Sequence, residues 1–182
     1  MPDVVDLIMS DHRELERLFD QLRTQPDTRP LLVPVVAALL SAHSRAEEAE
    51  IYPAARDEAG ETDEVAHSQH EHVEAEQLLH RLADTDPTSS RFESLLEEFV
   101  GAVKHHIEEE EGTVLPLMRE RLEQRRLQQL GEAFASVRAR HLMTGDSSQL
   151  SRGELQQQAE NMDLPGRSQM SKEQLEKELQ KK

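Results

Sequence analysis

Apolar residues recur at helical spacing in four long stretches before residue 117, each flanked by polar, turn-forming sequence. The first runs from about Asp3 to Leu22, with Ile8, Leu15, Phe19 and Leu22 in step, and QPDTRP ends it. The second carries Val36, Leu39, Leu40 and Ile51. Pro30 suits its first turn, Pro34 is tolerable only because it sits near the start, and Pro53 lies near the end. DEAGETD (Asp57–Asp63) reads as a turn. The third stretch spans about Thr62 to Leu82, with Val65, Leu79 and Leu82 inward, and TDPTSS closes it. Ser90 and Glu93 make a capping-box signature for the fourth, which continues through Phe92, Leu96, Phe99 and Val103 towards Pro116. A further helix is expected over roughly 116–140, with Gly131 as its weak point. Helices of about 20 residues reach about 30 Å, the scale of an up-down-up-down four-helix bundle with short loops.

Composition supports an all-α chain, since Leu, Ala, Glu, Gln and Arg favour helix and only seven glycines interrupt 182 residues. The expected division is a bundle over 1–143, a linker over 144–150 (TGDSSQL) and a small helix–extended loop–helix unit over 151–182. That last unit has two capping boxes of its own, Ser151/Glu154 and Ser171/Gln174, around a Pro-Gly turn. Leu155, Ala159, Met162, Leu164, Met170, Leu175 and Leu179 are its candidate core.

The net charge of −16 lies wholly in residues 1–150, because residues 151–182 hold six basic and six acidic side chains. Such an excess disfavours nucleic acid as the main partner and suits a cation. The absence of cysteine removes disulfides, thiolate metal sites and cysteine nucleophiles together. MPDVVDLIMSDH has neither a basic flank nor a long apolar run, and no membrane-length apolar stretch occurs; a cytoplasmic protein without a membrane partner is the expectation.

The strongest signal is a twofold repeat. HSRAEEAEIYP (His43–Pro53) aligns without a gap to HIEEEEGTVLP (His106–Pro116), and DHRELERLFDQL (Asp11–Leu22) aligns to EHVEAEQLLHRL (Glu71–Leu82). Residues four apart share a helix face, so His43/Glu47 and His106/Glu110 each project one nitrogen and one oxygen together. Val36, Leu40, His43, Glu47 and Ile51 form one stripe; Leu96, Phe99, Val103, His106 and Glu110 form another; Ile8, His12, Leu15, Phe19 and Leu22 form a third. Polar groups on core stripes are costly unless paired or metal-bound, and four helices bringing such groups to one depth point to a shared metal site. The expected donors are His12, His43, Glu47, His72, His106 and Glu110. Glu48, Glu109 and Glu111 are expected on solvated faces, and His67, His70, His80, His105 and His141 at the surface.

Over roughly residues 1–140 these motifs resemble the hemerythrin-type HHE cation-binding family. The resemblance implies an oxo- or hydroxo-bridged pair of iron ions, with Glu47 and Glu110 as bridges and His12, His43, His72 and His106 as terminal ligands. The same donors would accept manganese or zinc. Where oxygen carriers of the family supply a second helix-three histidine, this chain has Glu76, and where they use His-x4-Asp it has His106-x3-Glu110. These departures turn the expectation from oxygen carriage towards reaction with, or sensing of, O2, peroxide or nitric oxide, including catalase-like peroxide removal. Glu76, or its repeat equivalent Glu16, is the expected further ligand. The tail resembles SAP-like or Rho N-terminal-like modules; lacking net positive charge, it is expected to dock or contact a protein partner rather than nucleic acid.

Overall fold

The computed structural model describes residues 2–144 and 150–181, so the expected linker falls largely outside the described residues. Those residues form helices and turns with no strand among them. The bundle consists of α1 (Val4–Thr24), α2 (Arg29–Ala46) with its continuation to Ala59, α4 (Thr62–Ala83) and α5 (Ser90–Gly112). Asp3 caps α1 reciprocally with Asp6, a box whose acidic third residue also suits the helix dipole. At α5 the cap is Ser89, whose side chain accepts from Phe92 N, one residue before the expected Ser90. The carboxylate of Glu93 goes instead to the buried guanidinium of Arg29, at 2.7 Å.

The two aligned prolines are accommodated differently. Pro53 cannot donate to the carbonyl four residues back, and its ring would collide with that carbonyl in a regular α-helix. The chain widens into a π-turn over Glu47–Ile51, passes through the short α3 (Tyr52–Ala54) and widens again over Ala55–Ala59 before Gly60 reverses it at φ 83°. Helix therefore extends into the stretch expected as a turn. In the second half the helix breaks at Thr113 and restarts as α6 (Val114–Arg121), with Pro116 in its first turn.

The expected helix over 116–140 is likewise two helices, α6 and α7 (Gln124–Thr144), divided at Leu122 and Glu123. Gly131 is no weak point. A Cβ there would lie 3.2 Å from Val4 N, so glycine permits α7 to cross the start of α1. From that crossing α7 runs along the groove between α1 and α2.

The tail contains α8 (Arg152–Asn161) and α9 (Lys172–Leu179), and both expected capping boxes form. Leu155, Ala159, Leu175 and Leu179 are its core, with Met162, Leu164 and Met170 packed around them. The α8 helix lies against α4 and the Glu47–Ile51 turn.

The main core is two apolar clusters rather than one. Ile8, Ala46, Ile51, Val65 and Val114 belong to the first; Leu15, Leu40, Ala75 and Val103 belong to the second. His12, His43, Glu47, His72, His106 and Glu110 lie between them along their helices, so a polar layer divides the hydrophobic interior.

A candidate metal centre

The imidazoles come in two pairs. His12 on α1 meets His43 on α2 with ring centroids 5.1 Å apart, and His72 on α4 meets His106 on α5 at 4.6 Å. Two carboxylates run between the pairs. Glu47 lies 3.1 Å from His43 Nε2 and 3.4 Å from His72 Nε2; Glu110 lies 3.4 Å from His12 Nε2 and 4.0 Å from His106 Nε2. Two donor triples, His12/His43/Glu47 and Glu47/His72/His106, have their atoms within 4.8 Å of one another and share Glu47.

Every one of these histidines turns its other nitrogen to a carboxylate, in an arrangement that follows the sequence repeat. His43 Nδ1 donates to Asp11 (3.3 Å) and His106 Nδ1 to Glu71 (2.9 Å), the repeat-equivalent acids preceding His12 and His72. His12 Nδ1 donates to Glu111 (2.8 Å) and His72 Nδ1 to Glu48 (3.4 Å), the equivalent acids following Glu110 and Glu47. An ionised carboxylate only accepts, so each imidazole is held as the Nδ1–H tautomer with the Nε2 lone pair directed inward. This carboxylate–histidine pairing orients and strengthens imidazoles as metal ligands. The expectation that Glu48 and Glu111 are merely solvated is thus corrected: Glu48 is buried, and Glu111 is 20% exposed with an imidazole bonded to it.

The electrostatics fit a cation. All four oxygens of Glu47 and Glu110, with His12 Nε2, are buried without a hydrogen-bond partner among the described residues. The Nε2 atoms of His72 and His106 face each other at 3.0 Å, a repulsive approach of lone pairs unless a proton or metal ion lies with them. Burial opposes charge on His43, but Glu47 and Asp11 outweigh it and raise its pKa to about 10. Burial likewise opposes charge on His72, whose pKa Glu47 and Glu48 raise to about 9. The same imidazoles hold Glu47 well below the usual carboxylate range against its burial. The surroundings thus favour positive charge at His43 and His72, and divalent ions bound at the Nε2 lone pairs would supply it. The donor chemistry and the orphaned oxygens fit metal.

Glu76 does not join this set. It pairs with Arg45 at the edge of the bundle, and its repeat equivalent Glu16 pairs with Arg13 at 2.5 Å. One turn beyond its histidine, each glutamate sits where an arginine reaches it first. Tyr52 enters the site unforeseen, with its hydroxyl 3.0 Å from His72 Nε2. Its place in the repeat is taken by Leu115 in the other half, a mismatch that marks it only in retrospect. Burial, with Glu110 and Glu47 next, pushes its pKa well up and keeps the phenol protonated. Phe134 of α7 closes over His43 edge-on at 5.9 Å, and Arg138 binds Asp11 at 2.6 Å.

The hemerythrin HHE cation-binding domain model matches residues 3–118, which covers all four of these helices. The chain belongs to that family. An uncharacterized hemerythrin-like protein of Schizosaccharomyces pombe is 26% identical over 138 residues, covering 74% of this chain and 68% of that protein. A Nostoc protein named DNA nickase is 25% identical over 140 residues, 76% of this chain; the match spans only 40% of the Nostoc protein's length. No solved structure matches. The family match ends before α7, so the covering helix and the tail are features of this chain outside the matched region.

Proposed function

We propose that the centre holds two iron ions, one beside His12 and His43 and the other beside His72 and His106, with Glu47 and Glu110 spanning them, and that it reacts with a small ligand such as peroxide, O2 or nitric oxide. The observation that supports this most is the pair of fully buried glutamates whose oxygens have no hydrogen-bond partner among the described residues. Bound iron would supply the electron exchange that the side chains cannot. Six donors shared between two ions leave room for such a ligand. Catalase-like removal is the most economical form: one peroxide is reduced to water while a second is oxidised to O2, so no external reductant is needed. The protein's own part is positioning. The outer carboxylates fix the imidazoles, Phe134 limits access by water, and Tyr52 holds a proton on its hydroxyl beside the site. Iron-loaded protein should evolve O2 from peroxide and show an absorption spectrum that Glu47→Ala/Glu110→Ala abolishes; equal rates in parent and variant would refute the proposal.

A second reading, a sensor whose tail reports the state of the centre, is favoured by one contact. Gln158 and Asn161 of α8 are buried against the bundle. Gln158 Nε2 donates to the carboxylate of Glu48 at 3.1 Å, while Asn161 Nδ2 donates to the Glu48 carbonyl at 3.0 Å and to Gln69 at 2.8 Å. Glu48 in turn orients His72, so the tail touches the centre through one carboxylate. Amide exchange over 152–179 should accelerate when metal is removed; identical protection with and without metal would count against sensing. DNA nicking is not part of the proposal, because the chain spans a minority of that relative and its net charge of −16 opposes phosphate binding.

A further inference from the structure

Outside the buried centre, a second group of donors lies at the seam of α4 and α5. His67 and Glu71 stand one turn apart on α4, and His105 and Glu109 one turn apart on α5. His67 Nε2 lies 3.0 Å from Glu109 and 3.6 Å from Glu71; His105 Nε2 lies 3.4 Å from Glu109 and 3.8 Å from Glu71. A tetrahedral zinc ion with bonds of about 2.0–2.1 Å keeps its ligands about 3.3–3.4 Å apart. The four separations bracket that spacing. The donor atoms of His67, Glu71 and Glu109 lie within 4.8 Å of one another, and the exposed His105 stands beside the two carboxylates, 3.4 Å from Glu109 and 3.8 Å from Glu71.

The repeat distinguishes this cluster from an ordinary acidic helix face. Of the four carboxylates that orient the buried imidazoles, Asp11 is bound by Arg138, Glu48 by Arg45 and Glu111 by Arg13. Glu71 is the fourth. Its Oε2 accepts from His106 Nδ1, and its Oε1 faces His67 and His105. Among the described residues neither Glu71 nor Glu109 pairs with arginine or lysine. Where the other three positions have a guanidinium, this one has two imidazoles and another carboxylate.

We propose that His67, Glu71, His105 and Glu109 form a separate, mononuclear site for a borderline divalent cation of the zinc type. Two imidazole nitrogens and two carboxylate oxygens suit that ion, and its charge takes the part that arginine plays at the three equivalent positions. Both histidines are more than half exposed, so the ion exchanges with solvent without opening the bundle. Glu71 touches both this ion and His106, which places the site one carboxylate away from the buried centre.

The test is a zinc titration of the full chain, with its buried centre already metal-loaded, beside His67→Gln/His105→Gln. The parent should bind one more zinc per chain than the double variant, and any zinc still bound at the seam in the variant should be weaker by about tenfold or more. X-ray absorption of that extra zinc should show nitrogen and oxygen neighbours only. Equal zinc stoichiometry and affinity in the two proteins would overturn the proposal. The readout is a difference between two chains with the same buried donors, so it stands whichever metal occupies that centre and whether or not the centre turns over peroxide. Circular dichroism of the variant separates loss of the site from loss of fold.

Discussion

At the scale of single residues, the centre is built from pairs of groups with opposed tasks. Glu47 and Glu110 are buried among imidazoles with no hydrogen-bond donor to their oxygens, while the carboxylates next to them in sequence, Glu48 and Glu111, accept hydrogen bonds. Adjacent glutamates thus differ in role because one faces the bundle axis and the other an imidazole or arginine. Tyr52 is the neutral member of this layer, a proton donor kept from ionising by burial and the surrounding carboxylates. Replacing Tyr52 with Phe removes one hydroxyl and leaves the ring's packing. If the centre turns over peroxide as proposed, iron content should be unchanged while turnover falls by about a hundredfold, the low end for one positioned proton donor. Turnover equal to the parent's would leave Tyr52 as packing alone.

At the scale of elements, the decisive events are where helices stop and what crosses them. Asp3 caps α1 and also receives Arg119 of α6 and Gln124 of α7, joining three helix ends. Burial works against its charge, but the Asp6 amide, Gln124 and Arg119 together lower its pKa. A lowered folded pKa means stability that is present above the ordinary value of 3.8 and lost as pH falls through the folded value. Asp3→Asn retains capping ability but not charge, so it should cost about 0.5–1 kcal/mol at neutral pH. Urea melts of parent and variant should converge as pH drops below the range in which Asp3 is ionised. The covering helix α7 depends on a different local feature: the close approach at Gly131 lets Phe134 and Arg138 reach His43 and Asp11.

For the whole molecule, the polar layer between two apolar clusters makes metal a structural matter as well as a chemical one. Without a cation, carboxylate oxygens and imidazole lone pairs are buried together, and that arrangement is costly. A ligand at a hundred times its dissociation constant stabilises the fold it binds by about 2.7 kcal/mol, so chelation should lower the melting temperature by about 5–10 °C for a chain of this size. An unchanged melting temperature would mean that the layer is satisfied by protons alone. Among the described residues no helix is long and apolar enough to cross a membrane.

Much of this was legible along the chain because a repeated motif on a helical period leaves little freedom. Once His43 and Glu47, and His106 and Glu110, occupy core stripes beside apolar neighbours, burial of those stripes brings the four groups to one depth. The four bundle helices, the tail core and both tail caps followed from local pattern for the same reason, whereas the division of the expected 116–140 helix into α6 and α7 did not. Tertiary structure alone settled which acids serve which imidazoles, since those bonds join residues tens of positions apart. It moved Glu76 onto Arg45 and Glu48 into the interior, because neighbouring helices decide what a side chain meets once it leaves its own. Tyr52, the Gly131 crossing and the contact of Gln158 with Glu48 likewise had no sequence signal. Periodicity determines which face of a helix is buried; only packing determines what that face is buried against.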